Sequence, residues 1–265
     1  MTRAATGAPV VTDSATKLPP ASDGAVVVCG SHGAVYAAYL SAKAGARAAI
    51  HNDAGIGRDE AGIGGLAWAE AHGMAMAAID CGSARIGDGA DMLRRGVISR
   101  ANTLAVACGV KRGQEVREAV LLLQAAPWPR HRPAALAEGR SLVGTIVCLD
   151  SFSMAEAIDR GRVVASGSHG GALAGETAAA IAPALSMFND AGIGIERAGV
   201  AGLPILDRAG LAGVVVSAQS ARIGDGRSTL LDGLLSEVNE TAYRLGARVG
   251  GSALEFARAV AEKRS

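Results

Sequence analysis

Apolar residues in this chain come in short unbroken runs, and each run leads into a polar or glycine-rich word. Val10-Val11 precedes Asp13-Ser14, and Val26-Val27-Val28-Cys29 runs into Gly30-Ser31-His32-Gly33. The stretch 47–50 precedes Asn52-Asp53-Ala54-Gly55-Ile56-Gly57, and 74–79 precedes Ser83-Ala84-Arg85-Ile86-Gly87-Asp88-Gly89. Continuous apolar runs bounded in this way predict strands covered on both faces, as in a parallel sheet. The Ala-rich stretches between them predict helices over 34–44, over 60–72 with Gly73 closing the end, over 90–108 and near 114–123. Alternating strand, loop and helix is the pattern of a mostly parallel sheet carrying helices on its faces.

The whole pattern then recurs. Gly30-Ser31-His32-Gly33 returns as Gly167-Ser168-His169-Gly170, and 167 − 30 gives a shift of 137; Asn52 to Gly57 returns as Asn189 to Gly194, and Ser83 to Gly89 as Ser220 to Gly226, at the same shift. A gapless repeat of this length predicts a duplicated domain and not a solenoid unit. The expected fold is therefore α/β: a tandem duplication of a mostly parallel, Rossmann-like αβ unit forming a pseudo-twofold monomer. Its expected parts are an N-terminal arm over 1–8, a first α/β repeat over 9–124, a Pro-rich linker over 125–143 containing Pro127, Pro129 and Pro133, and a second α/β repeat over 144–265. Locally the halves differ: Pro19-Pro20 predicts a loop over 17–22, where 153–159 predicts a short helix. Gly96, Ser99 and Asn102, with Gly233, Ser236 and Asn239, fall by threes on one face of the long helices expected there.

Composition narrows the function classes. Hydrophobic residues make up 49% of the chain but aromatics only 3%, so the core must be small aliphatic side chains packed closely. A net charge of +1 and no Lys/Arg cluster argue against nucleic acid or an acidic membrane surface as a partner. The stretch 1–20 has no long apolar run, so neither a signal peptide nor a membrane span is expected and the default location is cytoplasmic. Cys29, Cys81, Cys108 and Cys148 show no metal spacing and do not recur, since Ser166, Ala218, Leu245 and Val11 stand at the matching places. No G-x-G-x-x-G opens a helix, which argues against a nicotinamide cofactor, and no other cofactor is expected.

The repeated words hold the candidate chemistry. All follow strands, and in parallel sheets the loops at strand carboxyl ends gather on one edge, where ligands bind. Arg85 and Arg222 present guanidinium forks suited to a carboxylate or phosphate, with bracing of the loop through Asp88 and Asp225 as the structural alternative. His32 and His169 titrate near neutral pH and could move protons, or could cap a helix. Ser31 and Ser168 are candidate nucleophiles that would need a base from another loop. Asp53 and Asp190 could take a proton, orient water or bind a metal, or serve as turn residues. Ser83, Ser220, Asn52, Asn189, Gly33, Gly170, Asp88 and Asp225 complete the expected substrate-binding set. Asp13 and Asp150, ending the first strands, suit a turn better than a site. A thiol nucleophile at Cys29 or Cys81 would be confined to the first half.

The order strand, Asn-Asp-x-Gly, Gly-Ile, helix, then a strand ending in a serine loop resembles the amino-terminal metal site of SurE-type nucleotidases. The likeness rests on Asn52, Asp53, Gly55, Gly62-Ile63 and Ser83, and again on Asn189, Asp190, Gly192, Gly199-Val200 and Ser220. It covers about a quarter of each half, and the chain departs from it where Ala54 and Ala191 replace the second acidic residue. The resemblance implies a divalent metal at Asp53 and Asp190 and a metal-dependent phosphatase activity. The residues themselves point first to a hydrolase, or a lyase or isomerase, acting on a small anionic, carboxylate-bearing metabolite, with the site near the interface of the repeats. A binding protein without chemistry is the third reading, and a homo-oligomer is compatible with each. Flanking differences, His51 against Phe188, Arg58 against Ile195, Glu60 against Arg197, Asp80 against Ser217 and Gly82 against Gln219, imply an unsymmetrical ligand or unequal sites.

Overall fold

Every apolar run named above becomes a strand. The computed structural model describes residues 7–129 and 132–263; most of the arm expected over 1–8 lies outside the described residues. Strands β1 (Val10–Thr12), β2 (Val26–His32), β3 (Ala48–Asn52) and β4 (Ala75–Ile79) pair in parallel, and β5 (Ile98–Ala101) closes the edge antiparallel to β4. A second, six-stranded sheet holds β6 (Arg140–Val143), β7 (Ile146–Leu149), β8 (Val163–His169), β9 (Leu185–Asn189), β10 (Ala212–Val216) and β11 (Leu235–Val238), with β6 and β11 antiparallel to their neighbours. The fold is thus α/β with two mixed, mostly parallel sheets.

Helices cover both faces of each sheet. In the first, α1 (Val35–Lys43) and α2 (Gly65–Ala71) are separated by the sheet from α3 (Gly89–Arg95), α4 (Thr103–Ala107) and α5 (Val116–Leu123); Val28, Ile50, Ala77 and Ile79 pack on Met92, Val116 and Leu123 of the latter group. In the second, Val164, Phe188 and Val215 meet α6 (Ala172–Ile181) and α7 (Leu203–Arg208), while Ala165, Met187 and Val214 meet α8 (Gly226–Leu231), α9 (Glu240–Arg244) and α10 (Ala253–Glu262). Small side chains predominate on β3 and β4, as the low aromatic content requires.

Several expectations need correcting. A Rossmann-like sheet reverses its strand order at a switch point, whereas both sheets here run in chain order without reversal. The helix expected over 90–108 breaks into α3, β5 and α4: Gly96 ends α3, Val97-Ile98 favour extended backbone, and the Asn102 side chain caps α4. Residues 227–245 break in the same way into α8, β11 and α9. The helix expected from 60 starts as a 3₁₀ turn over Arg58–Ile63 because Asp59 and Glu60 adopt left-handed backbone; α2 follows at Gly65. The stretch 153–159 forms two 3₁₀ turns, Phe152–Met154 and Ala157–Asp159. The end of the expected linker is β6, whose alternating exposure suits a half-solvated edge strand and whose hairpin turn uses left-handed Gly144.

The chain forms two compact units. The first comprises the residues through Ala54, Ala61–Leu136 and Gly194–Glu196; the second comprises Gly55–Glu60, Ala137–Ile193 and the residues from Arg197. Each unit therefore contains its own sheet and one short segment contributed by the other half of the sequence. No helix among the described residues is long and apolar enough to cross a membrane.

Candidate functional site

The strand-end loops of the first unit are tied together by their own polar groups. Gly87 N–H donates to the Gly30 carbonyl at 2.8 Å, and Asn52 Nδ2 to the Ala84 carbonyl at 3.4 Å. Asp13 Oδ1 accepts from Gly89 N at 3.0 Å, and Asp53 Oδ1 from Cys81 N at 3.0 Å. Ser31 Oγ accepts from Ala15 N at 2.9 Å. A side chain at Gly30 would place Cβ 2.6 Å from the Asp13 carbonyl oxygen, so only glycine lets these loops close. The expected residues therefore do meet on one edge, and most of them carry a structural bond there.

The second unit repeats the scheme. Gly224 N donates to the Gly167 carbonyl at 2.8 Å, Asn189 Nδ2 to Ala221 O at 3.1 Å, and Asp190 Oδ1 accepts from Ala218 N at 2.9 Å. Ser168 Oγ accepts from Phe152 N at 2.9 Å. Ser83 and Ser220 serve as braces: each Oγ donates to a strand-end carbonyl, Asp80 or Ser217, and accepts an amide 14 residues on, from Val97 or Leu234.

The histidines stand where these sheets hand over to helices. His169 Nδ1 accepts from Gly171 N at 3.2 Å and His32 Nδ1 from Ala34 N at 3.4 Å. With Nδ1 an acceptor, the neutral ring carries its proton on Nε2. Burial pushes the His169 imidazole down to about 4, so it is neutral at physiological pH. The helices that follow, α1 and α6, begin at Ala34 and Gly171, neither of which has a side chain to cap the first turn.

No protein-family model, curated protein or solved structure matches this chain.

Around the arginines the structure shows more than the words predicted. Arg85 donates from Nε and Nη2 to Asp88 Oδ2 at 3.2 and 2.9 Å, and from Nη1 to Glu196 Oε2 at 2.8 Å. Arg95 Nη1 reaches the other Glu196 oxygen at 2.8 Å. Asp88 also caps α3, through Asp91 N, and Asp225 caps α8 through Ser228 N. In the second unit, Arg222 Nη1 donates to Asp59 at 3.0 Å and Nη2 to Asp225 at 3.4 Å. Asp59 and Glu196 lie 137 residues apart, as do Arg85 and Arg222. Where Arg95 stands in the first unit, Asp232 stands in the second; it pairs with Arg58, whose counterpart is Ile195. This reciprocal charge exchange at the repeat shift was the sequence signal that marks Arg95 and Glu196, which the repeated words alone did not include.

The segments carrying these acids have a constrained backbone. Residues 54–57 and 191–194 each run through four consecutive positive φ angles, and Asp59, Glu60, Glu196 and Arg197 follow at φ between 52 and 59°. Among the described residues, nine non-glycine residues have positive φ, and of these only Ala182 lies outside the two segments. Such conformations persist where surrounding bonds over-determine them, and they gather at clamps and switches.

Among the described residues, one donor set is present, and it lies in the first unit. Asp53, Asp80 and Cys81 each bring a potential ligand atom within 4.8 Å of the others. The matching positions Asp190, Ser217 and Ala218 retain only the first acid.

Proposed function

We propose that the chain is an enzyme acting on a small anionic, carboxylate-bearing metabolite, by hydrolysis or by a lyase or isomerase step. The observation that carries this reading is the pinned imidazole at an uncapped helix start inside a closed set of strand-end loops. Arg85 and Arg222 hold the anion, with Asn52, Asn189 and the Gly33 and Gly170 backbone shaping the loop. A neutral His169 with its proton on Nε2 serves as a hydrogen-bond donor to a carbonyl or developing oxyanion, and His32 is its matching residue in the first unit. The base is then a carboxylate, Asp53 or Asp190, taking a proton from water or substrate. Ser31 and Ser168 are kept as alternative nucleophiles, each already positioned by the amide it accepts.

The test is turnover by the full chain of carboxylate-bearing metabolites that raise its melting temperature, followed by proton NMR. The double substitution His32→Gln with His169→Gln is expected to lower turnover about 100-fold or more with the circular dichroism unchanged; full turnover in that variant would overturn the assignment. Binding with no product from any such compound would favour a non-catalytic binding protein.

A second reading, a metal-dependent phosphatase, is favoured by the Asp53, Asp80 and Cys81 donor set, which offers mixed oxygen and sulfur ligands to a divalent ion. It predicts that p-nitrophenyl phosphate is hydrolysed, that EDTA abolishes the hydrolysis, and that Asp53→Asn removes bound metal while Asp190→Asn does not. Hydrolysis that persists in EDTA rejects it.

A further inference from the structure

Two guanidiniums converge on one carboxylate in the first unit, and each reaches it with the part its anchors leave over. Asp88 takes Nε and Nη2 of Arg85, and Asp91 takes Nε of Arg95 at 2.9 Å, leaving an Nη1 on each side for the two oxygens of Glu196. The anchors are themselves fixed. Asp91 has a side chain only 1% exposed; burial raises its carboxyl, yet the Arg85 amide and the Arg94 and Arg95 guanidiniums together hold it at about 2. Both arginines would therefore keep their positions without Glu196, the condition for a preorganised anion site.

Glu196 is the loosest member of the group. Its side chain is 50% exposed, against 36% and 30% for Arg85 and Arg95, so solvent and small solutes reach the contact. Its backbone sits at φ 54°, followed by Arg197 at φ 59°, a conformation that costs free energy in residues bearing side chains. An internal carboxylate presented on a strained backbone binds less tightly than the same group offered without that cost, and an external carboxylate can compete with it.

We propose that Arg85 and Arg95 form a carboxylate-binding site that the chain's own Glu196 occupies, so that a small carboxylate ligand binds by displacing the 194–196 segment. This deepens the reading of Arg85 as an anion holder and rests on it; it adds Arg95 as a specificity residue and makes Glu196 an autoinhibitory group. The second unit lacks the paired site, because Asp232 stands where the second guanidinium would be, so Arg222 meets an anion there alone and more weakly.

Malonate is the probe, titrated into the full chain by calorimetry at constant ionic strength, with chloride as control. Glu196→Gln is expected to tighten malonate binding about tenfold by removing the competitor. Arg95→Met is expected to weaken it at least about tenfold, with one malonate bound per chain in the parent. In the parent, malonate should also speed amide exchange at 194–196. The proposal falls if Glu196→Gln and the parent bind malonate equally, if neither binds it, or if Arg95→Met binds as the parent does. Should Arg95→Met fail to fold, the exposed Glu196→Gln substitution decides alone. Because the readout is binding, loss of this site and loss of the histidine chemistry are separable: the malonate pattern can hold while His32→Gln with His169→Gln retains turnover, and the reverse.

Discussion

Asn102→Ala is expected to destabilise the first unit by about 4 kcal/mol or more. The Asn102 side chain is 5% exposed and uses all its bonding capacity: Oδ1 accepts from Met76 N at 3.1 Å and Ala105 N at 3.0 Å, and Nδ2 donates to Met74 O at 2.9 Å and Leu66 O at 3.3 Å. Those bonds join α2, the start of β4 and the first turn of α4. Alanine would strand four buried backbone groups, each costing about 1–3 kcal/mol where water cannot reach it. Urea unfolding followed by tryptophan fluorescence reads this unit alone, because Trp68 and Trp128 are the chain's two tryptophans and both belong to it. A loss below about 1 kcal/mol would mean that water replaces the amide and that the account is wrong.

Acid should weaken the same unit through His51. This residue lies in β3 with no exposed surface, its Nε2 3.0 Å from Ser41 Oγ, and burial pushes the imidazole from 6.5 down to about 4. Above pH 6.5 neither the folded nor the unfolded chain holds the proton. Between 6.5 and 4 the unfolded chain takes it and the folded one does not, so stability falls across that window and the loss is complete below 4. The shift corresponds to about 3 kcal/mol. Asp91 contributes outside this window: its stabilisation is present above pH 3.8 and is lost as pH falls toward 2. His51→Phe, which installs the residue found at the matching position 188, should flatten the tryptophan-detected stability between pH 6.5 and 4, whatever its effect at pH 7. An unchanged slope would show that another group binds the proton.

The strands and the edge they share were legible because each apolar run ends at a glycine or polar word, and period and punctuation are local properties. Asn102 and Asn239 were misread for the same reason. Steps of three from Gly96 and Gly233 fit a helical face, and nothing local shows that each amide caps one helix while bonding to a neighbouring strand. Strand order was illegible because it depends on pairings between distant segments. The bonds that occupy Ser31, Asn52 and Arg85 were hidden too: a strand-end serine, asparagine or arginine looks the same in sequence whether it faces a ligand or an amide. The reciprocal exchange of Arg95 and Ile195 for Asp232 and Arg58 was visible at the repeat shift, but its meaning required the left-handed backbone at Asp59 and Glu196, each of which bonds the arginine of its own unit.

The chain-order sheets bear on how the molecule is made. Each strand after the first in a sheet pairs with its immediate predecessor, so every parallel addition closes one short connection onto a template already synthesised. A growing polypeptide can lay down the first sheet strand by strand as it leaves the ribosome. The Arg85 to Glu196 bond spans 111 residues and cannot form until synthesis has passed Glu196 in the second half. Arg85 and Arg95 are thus present during synthesis before Glu196 exists, and on the nascent first sheet both guanidiniums lack the carboxylate that later joins them.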